Sequence, residues 1–118
     1  SGVAILSKKR PKRIINGLGD KAIDDEARVM TFEFKDFTIV NCYTPCSGFE
    51  EKRKDYRLHF EERLTAHLKQ YSQTALILCG DLNVTSRDRD IYRSHKPRAG
   101  EPGSYAWERE ELRKKLNV

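Results

Sequence analysis

The chain has 118 residues, with 23 Lys and Arg against 18 Asp and Glu, a formal charge of +5. That length suits one domain, or a piece of one, and rules out a multidomain reading of these residues, and 37% hydrophobic against 35% charged residues leaves room for a core under a very polar surface. Five Phe, five Tyr and one Trp exclude a disordered tail, and the longest apolar run, Ala75 to Cys79, is far below the roughly 20 residues a membrane helix needs.

The chain opens at Ser1-Gly2-Val3-Ala4-Ile5-Leu6, an apolar run that predicts a strand, and its single methionine is Met30. It closes with Leu112, Leu116 and Val118 on a predicted helix. Both ends suggest that residues 1–118 are the central portion of a single domain in a longer protein. Lys8, Lys9, Arg10, Lys12 and Arg13 crowd around Pro11, and a second basic group lies at Lys52, Arg53, Lys54 and Arg57. Such runs raise the local potential and could meet phosphates; charge alone favours the plainer reading, a solvated loop and a solvated helix face.

Residues 28–34 and 37–43 are rich in β-branched and aromatic side chains and flank Lys35-Asp36, which predicts a hairpin. The second run is apolar on both faces, Phe37 and Ile39 opposite Val40 and Cys42, as expected of a strand buried between layers. Pro45 and Gly48 end it. From about Phe49 to Tyr71 the period becomes helical: Tyr56, Phe60, Leu64 and Leu68 recur every fourth residue, then Tyr71, with charges between them. Thr74 to Cys79 is a short apolar strand ending at Gly80-Asp81. Strand, helix and strand make a βαβ unit with parallel strands and a right-handed crossover. A helical turn over 87–92, a loop over 93–103 with Pro97, Gly100, Pro102 and Gly103, and a last helix over 106–116 complete the chain. Cys42, Cys46 and Cys79 read as buried free thiols in a reducing compartment rather than a disulfide framework. With His59, His67 and His95 scattered, nothing completes a zinc tetrad.

Parallel strands bring their carboxyl ends to one edge, where open α/β sheets place ligands. Tyr43 and Asp81 stand at those ends, with Pro45 and Asn83 just beyond. A carboxylate that takes a proton from water, a carboxamide that holds the water or an oxyanion, and a phenol that donates to a non-bridging oxygen suit displacement at phosphorus. Each alone has a plainer reading: a turn aspartate, a cap or turn asparagine, a half-buried strand tyrosine.

Asn41-Cys42-Tyr43-Thr44-Pro45, Tyr56-Arg57 and Leu76-Ile77-Leu78-Cys79-Gly80-Asp81-Leu82-Asn83-Val84 resemble exonuclease III-type apurinic/apyrimidinic (AP) endonucleases of the endonuclease/exonuclease/phosphatase superfamily. Ser1-Gly2-Val3-Ala4, Glu26-Ala27-Arg28-Val29, Asp88-Arg89-Asp90-Ile91 and Glu108-Arg109 add matches in the same order. The resemblance implies an α/β fold forming part of a four-layer sandwich like that of deoxyribonuclease I. It implies Mg2+-dependent (or Mn2+-dependent) hydrolysis of the phosphodiester 5′ to an abasic site in double-stranded DNA, leaving a 3′-hydroxyl, by a monomeric enzyme of base-excision repair. Such an enzyme would be intracellular, nuclear in a eukaryote and cytoplasmic otherwise, with no membrane partner. It further implies that Asp81 activates or orients water, Asn83 helps hold water and phosphate, and Tyr43 hydrogen-bonds the scissile phosphate. Asp81 and Asn83 would be secondary metal ligands, the main ligands and the catalytic histidine of the family lying outside these residues. Arg28 and Arg53 fall at positions facing the DNA backbone, and Cys46 stands where the family has a phosphate-contacting Asn. The 118 residues alone are therefore expected to be inactive. Two alternatives are a superfamily phosphoesterase with another substrate, such as a retrotransposon endonuclease or phosphoinositide phosphatase, and a non-catalytic basic module that binds nucleic acid.

Overall fold

The computed structural model describes residues 1–92 and 100–118. Four strands, β1 (Arg13–Asn16), β2 (Val29–Glu33), β3 (Thr38–Tyr43) and β4 (Leu76–Asp81), form one sheet in the order β1-β2-β3-β4. β1, β2 and β3 run antiparallel in succession, while β3 and β4 are parallel. The expected hairpin is therefore β2–β3. The expected βαβ unit is β3, α2 (Lys54–Lys69) and β4. A short α1 (Lys21–Asp24) precedes β2, and α3 (Ala106–Leu116) follows β4.

One face of the sheet carries the core. Val29, Val40 and Cys42 point toward Phe60, Leu64 and Leu68 of α2, with Leu76 and Leu78 of β4 packed at the margin. This apolar stripe recurs at helical spacing along α2, and most of the helix's charges lie on the other face, Arg57 and Glu61 being buried exceptions. Thr31 lies on the same sheet face, in register with Val40, and its hydroxyl is 2.8 Å from Nε2 of the buried His67. Tyr71 sits edge-on to that imidazole and donates to Glu33 Oε1 at 2.6 Å.

The other face is open. Ile39, Asn41 and Tyr43 on β3 line up with Ile77, Cys79 and Asp81 on β4, and Ile77 is 48% exposed. Among the described residues helices cover β3 on one side. The thiols follow the same division. Cys42 is buried, whereas Cys46 and Cys79 are exposed, so the reading of three buried cysteines holds for Cys42 alone.

Besides β1, which the sequence did not predict and which takes up Arg13 of the first basic group, two local features depart from the sequence reading. Ser1 to Leu6 is not in the sheet; it runs alongside, tethered where Asn41 Nδ2 donates to the Ala4 carbonyl at 2.9 Å and where Ser1 Oγ donates to the Glu26 carbonyl. Secondly, α1 and the turn before it were not foreseen. There the Asp24 carboxylate collects the backbone N–H groups of Leu18, Gly19 and Asp20 at 2.7–3.0 Å, a local bond set that a hydrophobic period does not encode. The predicted turn over 87–92 is a single 3-10 turn at Asp88–Asp90. The expected loop over 93–103, with His95, lies largely outside the described residues.

Candidate active site

The parallel register of β3 and β4 pairs Tyr43 directly with Asp81. Residues paired across neighbouring strands share a face, so phenol and carboxylate both stand on the open side at the carboxyl ends of the strands. Both are exposed. The two strand ends are tied to each other by the Thr44 N–H donating to the Asp81 carbonyl at 2.9 Å.

This close approach requires Gly80. Its φ is +119°, and a Cβ there would lie 2.0 Å from the Cys42 carbonyl oxygen and 2.7 Å from Asn41 Oδ1. Only the lack of a side chain lets β4 turn its last residue toward Tyr43. Beyond Asp81 the chain doubles back through Asn83, a non-glycine at φ +47°. Its backbone N–H donates to Asp81 Oδ1 at 2.9 Å, and its Nδ2 donates to the Thr44 carbonyl at 2.8 Å. One amide proton of Asn83 thus holds the β3 loop. Asn83 is a strut between the two loops, a use its sequence context did not reveal.

Arg28 is buried, yet it reaches the site. Its NH1 donates to the Tyr43 carbonyl at 3.0 Å, and its guanidinium lies over the Tyr43 ring, 4.9 Å from the centroid. Glu26 anchors it at 2.5 Å and pairs with Arg53 at 2.9 Å. The Arg28 guanidinium holds the Glu26 carboxyl below the usual glutamate range, with partial burial opposing it and Arg53 reinforcing it. Arg53 in turn stacks on the Tyr56 ring at 4.7 Å. Glu26, absent from the sequence-derived site, therefore organises both arginines expected to face DNA. Its signal was available: an acid two residues before Arg28 inside a matched motif. Cys46 is an exposed thiol just past Pro45, beside the strand ends but offering no amide.

Arg57 is the main departure. The sequence placed it in a solvated basic group, but its side chain is fully buried. Its guanidinium donates to carbonyls of both site loops, Pro45 at 2.7 Å and Leu82 at 3.1 Å. A buried cation cannot be told from a solvated one by spacing alone, because its partners are backbone oxygens and acids distant in the chain. Lys52, Arg53 and Lys54 do remain partly or fully exposed.

Among the described residues no three His, Cys, Asp or Glu side chains gather into a metal cage. Asp81 and Asn83 offer two hard oxygens at one exposed rim. That donor set fits Mg2+, which keeps several waters and takes one or two carboxylates plus phosphate oxygens, and does not fit Zn2+.

Against known proteins, residues 1–111 match the model of the Endonuclease/Exonuclease/phosphatase family. The chain belongs to that family. It is 40% identical over 92 residues to the exodeoxyribonuclease of Bacillus subtilis (strain 168), covering 77% of this chain and 36% of that protein. It is 39% identical over 92 residues to the DNA repair nuclease APEX1 of Danio rerio, covering 77% and 30%. The structure superposes on an AP endonuclease from Archaeoglobus fulgidus with a TM-score of 0.75 at 25% identity, covering 94% of this chain and 44% of that one. The chain thus spans about a third of the length of these curated relatives, and its sheet with one helical layer matches part of the deoxyribonuclease I-like architecture.

Proposed function

We propose that the complete protein is a DNA-repair endonuclease that hydrolyses the phosphodiester on the 5′ side of an abasic site. The observation that carries this reading is the register of Tyr43 with Asp81 on the open rim of the sheet, supported by relatives named as an exodeoxyribonuclease, a DNA repair nuclease and a DNA-(apurinic or apyrimidinic site) endonuclease. Asp81 accepts a proton from water as its oxygen bonds to phosphorus. The bond from phosphorus to the 3′ oxygen of the preceding nucleotide breaks, and that oxygen leaves as a 3′-hydroxyl after taking up a proton. The Tyr43 hydroxyl donates to a non-bridging oxygen, and the Asn83 carboxamide holds the water or the phosphate. Arg53 meets a backbone phosphate, which positions the duplex without reading bases, while the buried Arg28, expected from the sequence to face the backbone, holds Tyr43 in place instead. Mg2+, held on the Asp81 and Asn83 side and by residues beyond this chain, would neutralise charge developing on the phosphoryl oxygens.

The test is incision of a duplex carrying one abasic analogue, with Mg2+ and with chelator. Cleavage 5′ to the lesion, lost on chelation and slowed about a thousandfold or more by Asp81→Ala, is the expected outcome. Equal cleavage of intact duplex assigns the site to another phosphoesterase of the family, and a near-normal rate for Asp81→Ala removes Asp81 from the chemistry. Residues 1–118 alone should incise poorly, because two oxygen donors do not retain the cation; efficient incision by that chain refutes this.

A further inference from the structure

Beneath the rim lies a charge cluster closed to water. Arg57 donates through Nε to Glu61 Oε1 at 2.7 Å, and Glu61 Oε2 accepts from the Lys115 ammonium. Glu108 lies 3.7 Å from Arg57 NH1, accepts from Ser47 Oγ at 2.7 Å, and accepts the Tyr105 N–H at 3.1 Å. The side chains of Arg57, Glu61, Glu108 and Lys115 are each at most 1% exposed. Two cations and two anions balance, which a buried cluster must achieve to be tolerated at all.

A pair that served only to join α2 to α3 would spend its N–H groups on the two glutamates. Arg57 instead directs its terminal nitrogens at backbone: NH1 to Pro45 O at 2.7 Å, NH2 to Leu82 O at 3.1 Å, with longer approaches of 3.4 and 3.5 Å to Asn83 O. Pro45 lies two residues beyond Tyr43, and Leu82 is the residue after Asp81. One rigid planar fork therefore spans both loops that follow the paired strands. Lysine cannot do this, because an ammonium is a point donor on a flexible stem.

We infer that Arg57 is a positioning residue: its guanidinium sets the spacing between the Tyr43 loop and the Asp81–Asn83 loop, and so the gap into which a phosphate must fit. The inference rests on the proposed reaction for its kinetic consequence but not for its geometry. Arg57 touches neither solvent nor ligand, so its loss should act on the chemical step more than on duplex binding. A displacement of about 1 Å at such a site costs roughly 100-fold in rate.

Two measurements on the complete protein test this. In the first, Arg57→Lys should lower kcat on abasic duplex about 100-fold while KM changes less than about threefold. Leu64→Ala, a core truncation about two turns further along the same helix with no hydrogen bond to either loop, should lower Tm comparably and leave kcat unchanged. If the kcat loss is matched by Leu64→Ala, or if folded Arg57→Lys keeps the native kcat, Arg57 is only a structural ion-pair partner and the inference fails. The second does not depend on activity. The Thr44 and Asn83 amides should exchange with solvent at least tenfold faster in Arg57→Lys, with Val40 and Leu78 unchanged; uniform acceleration or none overturns the proposal. Should Arg57→Lys not fold, NMR of the native protein decides. Resolved, slowly exchanging Arg57 guanidinium protons are expected, and a single averaged signal refutes the fork. A native protein that incises no abasic duplex but passes the exchange test counts against the proposed reaction and not against the role of Arg57.

Discussion

Gly80 and Asn83 show how much of the site is backbone. A methyl group at Gly80 would meet the Cys42 carbonyl at 2.0 Å on a residue already at φ +119°, so Gly80→Ala should destabilise the fold by more than about 3 kcal/mol, measured by urea unfolding. The Gly-Asp pair was read from the sequence as a strand end, and the structure adds why no other residue can precede Asp81. The cysteines give a second residue-scale expectation. Burial pushes the Cys42 thiol up to about 11, with the Thr44 hydroxyl only partly opposing the shift, while Cys46 and Cys79 are open to solvent. A thiol reagent at pH 8 should label two sites rapidly and Cys42 only on unfolding; three rapid sites would contradict this burial. Thiolate character and access together set such rates.

Helix α2 is held to the sheet by an apolar stripe, and toward its C-terminal end the buried His67 meets Thr31. Burial lowers the His67 pKa from its ordinary value near 6.5, although Glu33 pulls the other way and Arg13 adds to the lowering. The unfolded chain therefore takes up a proton that the folded chain resists. Stability should be full above about pH 6.5 and fall as the pH drops from there toward the folded value, each unit between the two being worth about 1.4 kcal/mol. Urea midpoints between pH 8 and 5 measure this, and His67→Gln should flatten that part of the curve. The stripe of Phe60, Leu64 and Leu68 was legible in the sequence because hydrophobic period reports directly on which helix face is buried. Arg57 and His67 on the same helix were not, because a period counts apolar side chains and is blind to a polar group whose partners are supplied by another element.

At the scale of the molecule, charge and the open sheet face set the expected behaviour. Binding of the complete protein to duplex should weaken as salt rises, with a log–log slope near −0.9 per phosphate neutralised. Arg53→Ala should reduce that slope by about one and leave the abasic preference unchanged; an unaltered slope would remove Arg53 from the backbone contacts. Arg53 is free to reach outward because only one of its nitrogens is committed to Glu26 and its side chain is 44% exposed. Arg28, buried beneath Tyr43, orients the phenol and the Tyr43 carbonyl first.

Length, hydrophobic period and turn residues alone determined the β2–β3 hairpin, the parallel β3–α2–β4 unit and the last helix, since each is encoded by neighbours in the chain. They also placed Tyr43 and Asp81 at strand ends, because strand direction follows from a helical crossover. Only the tertiary structure decided that both side chains share one face of the sheet. The same holds for Asn83 spending a proton on Thr44 and for a buried Arg57 joining the two loops. Those outcomes depend on register and on pairings between residues remote in sequence, which local pattern does not carry.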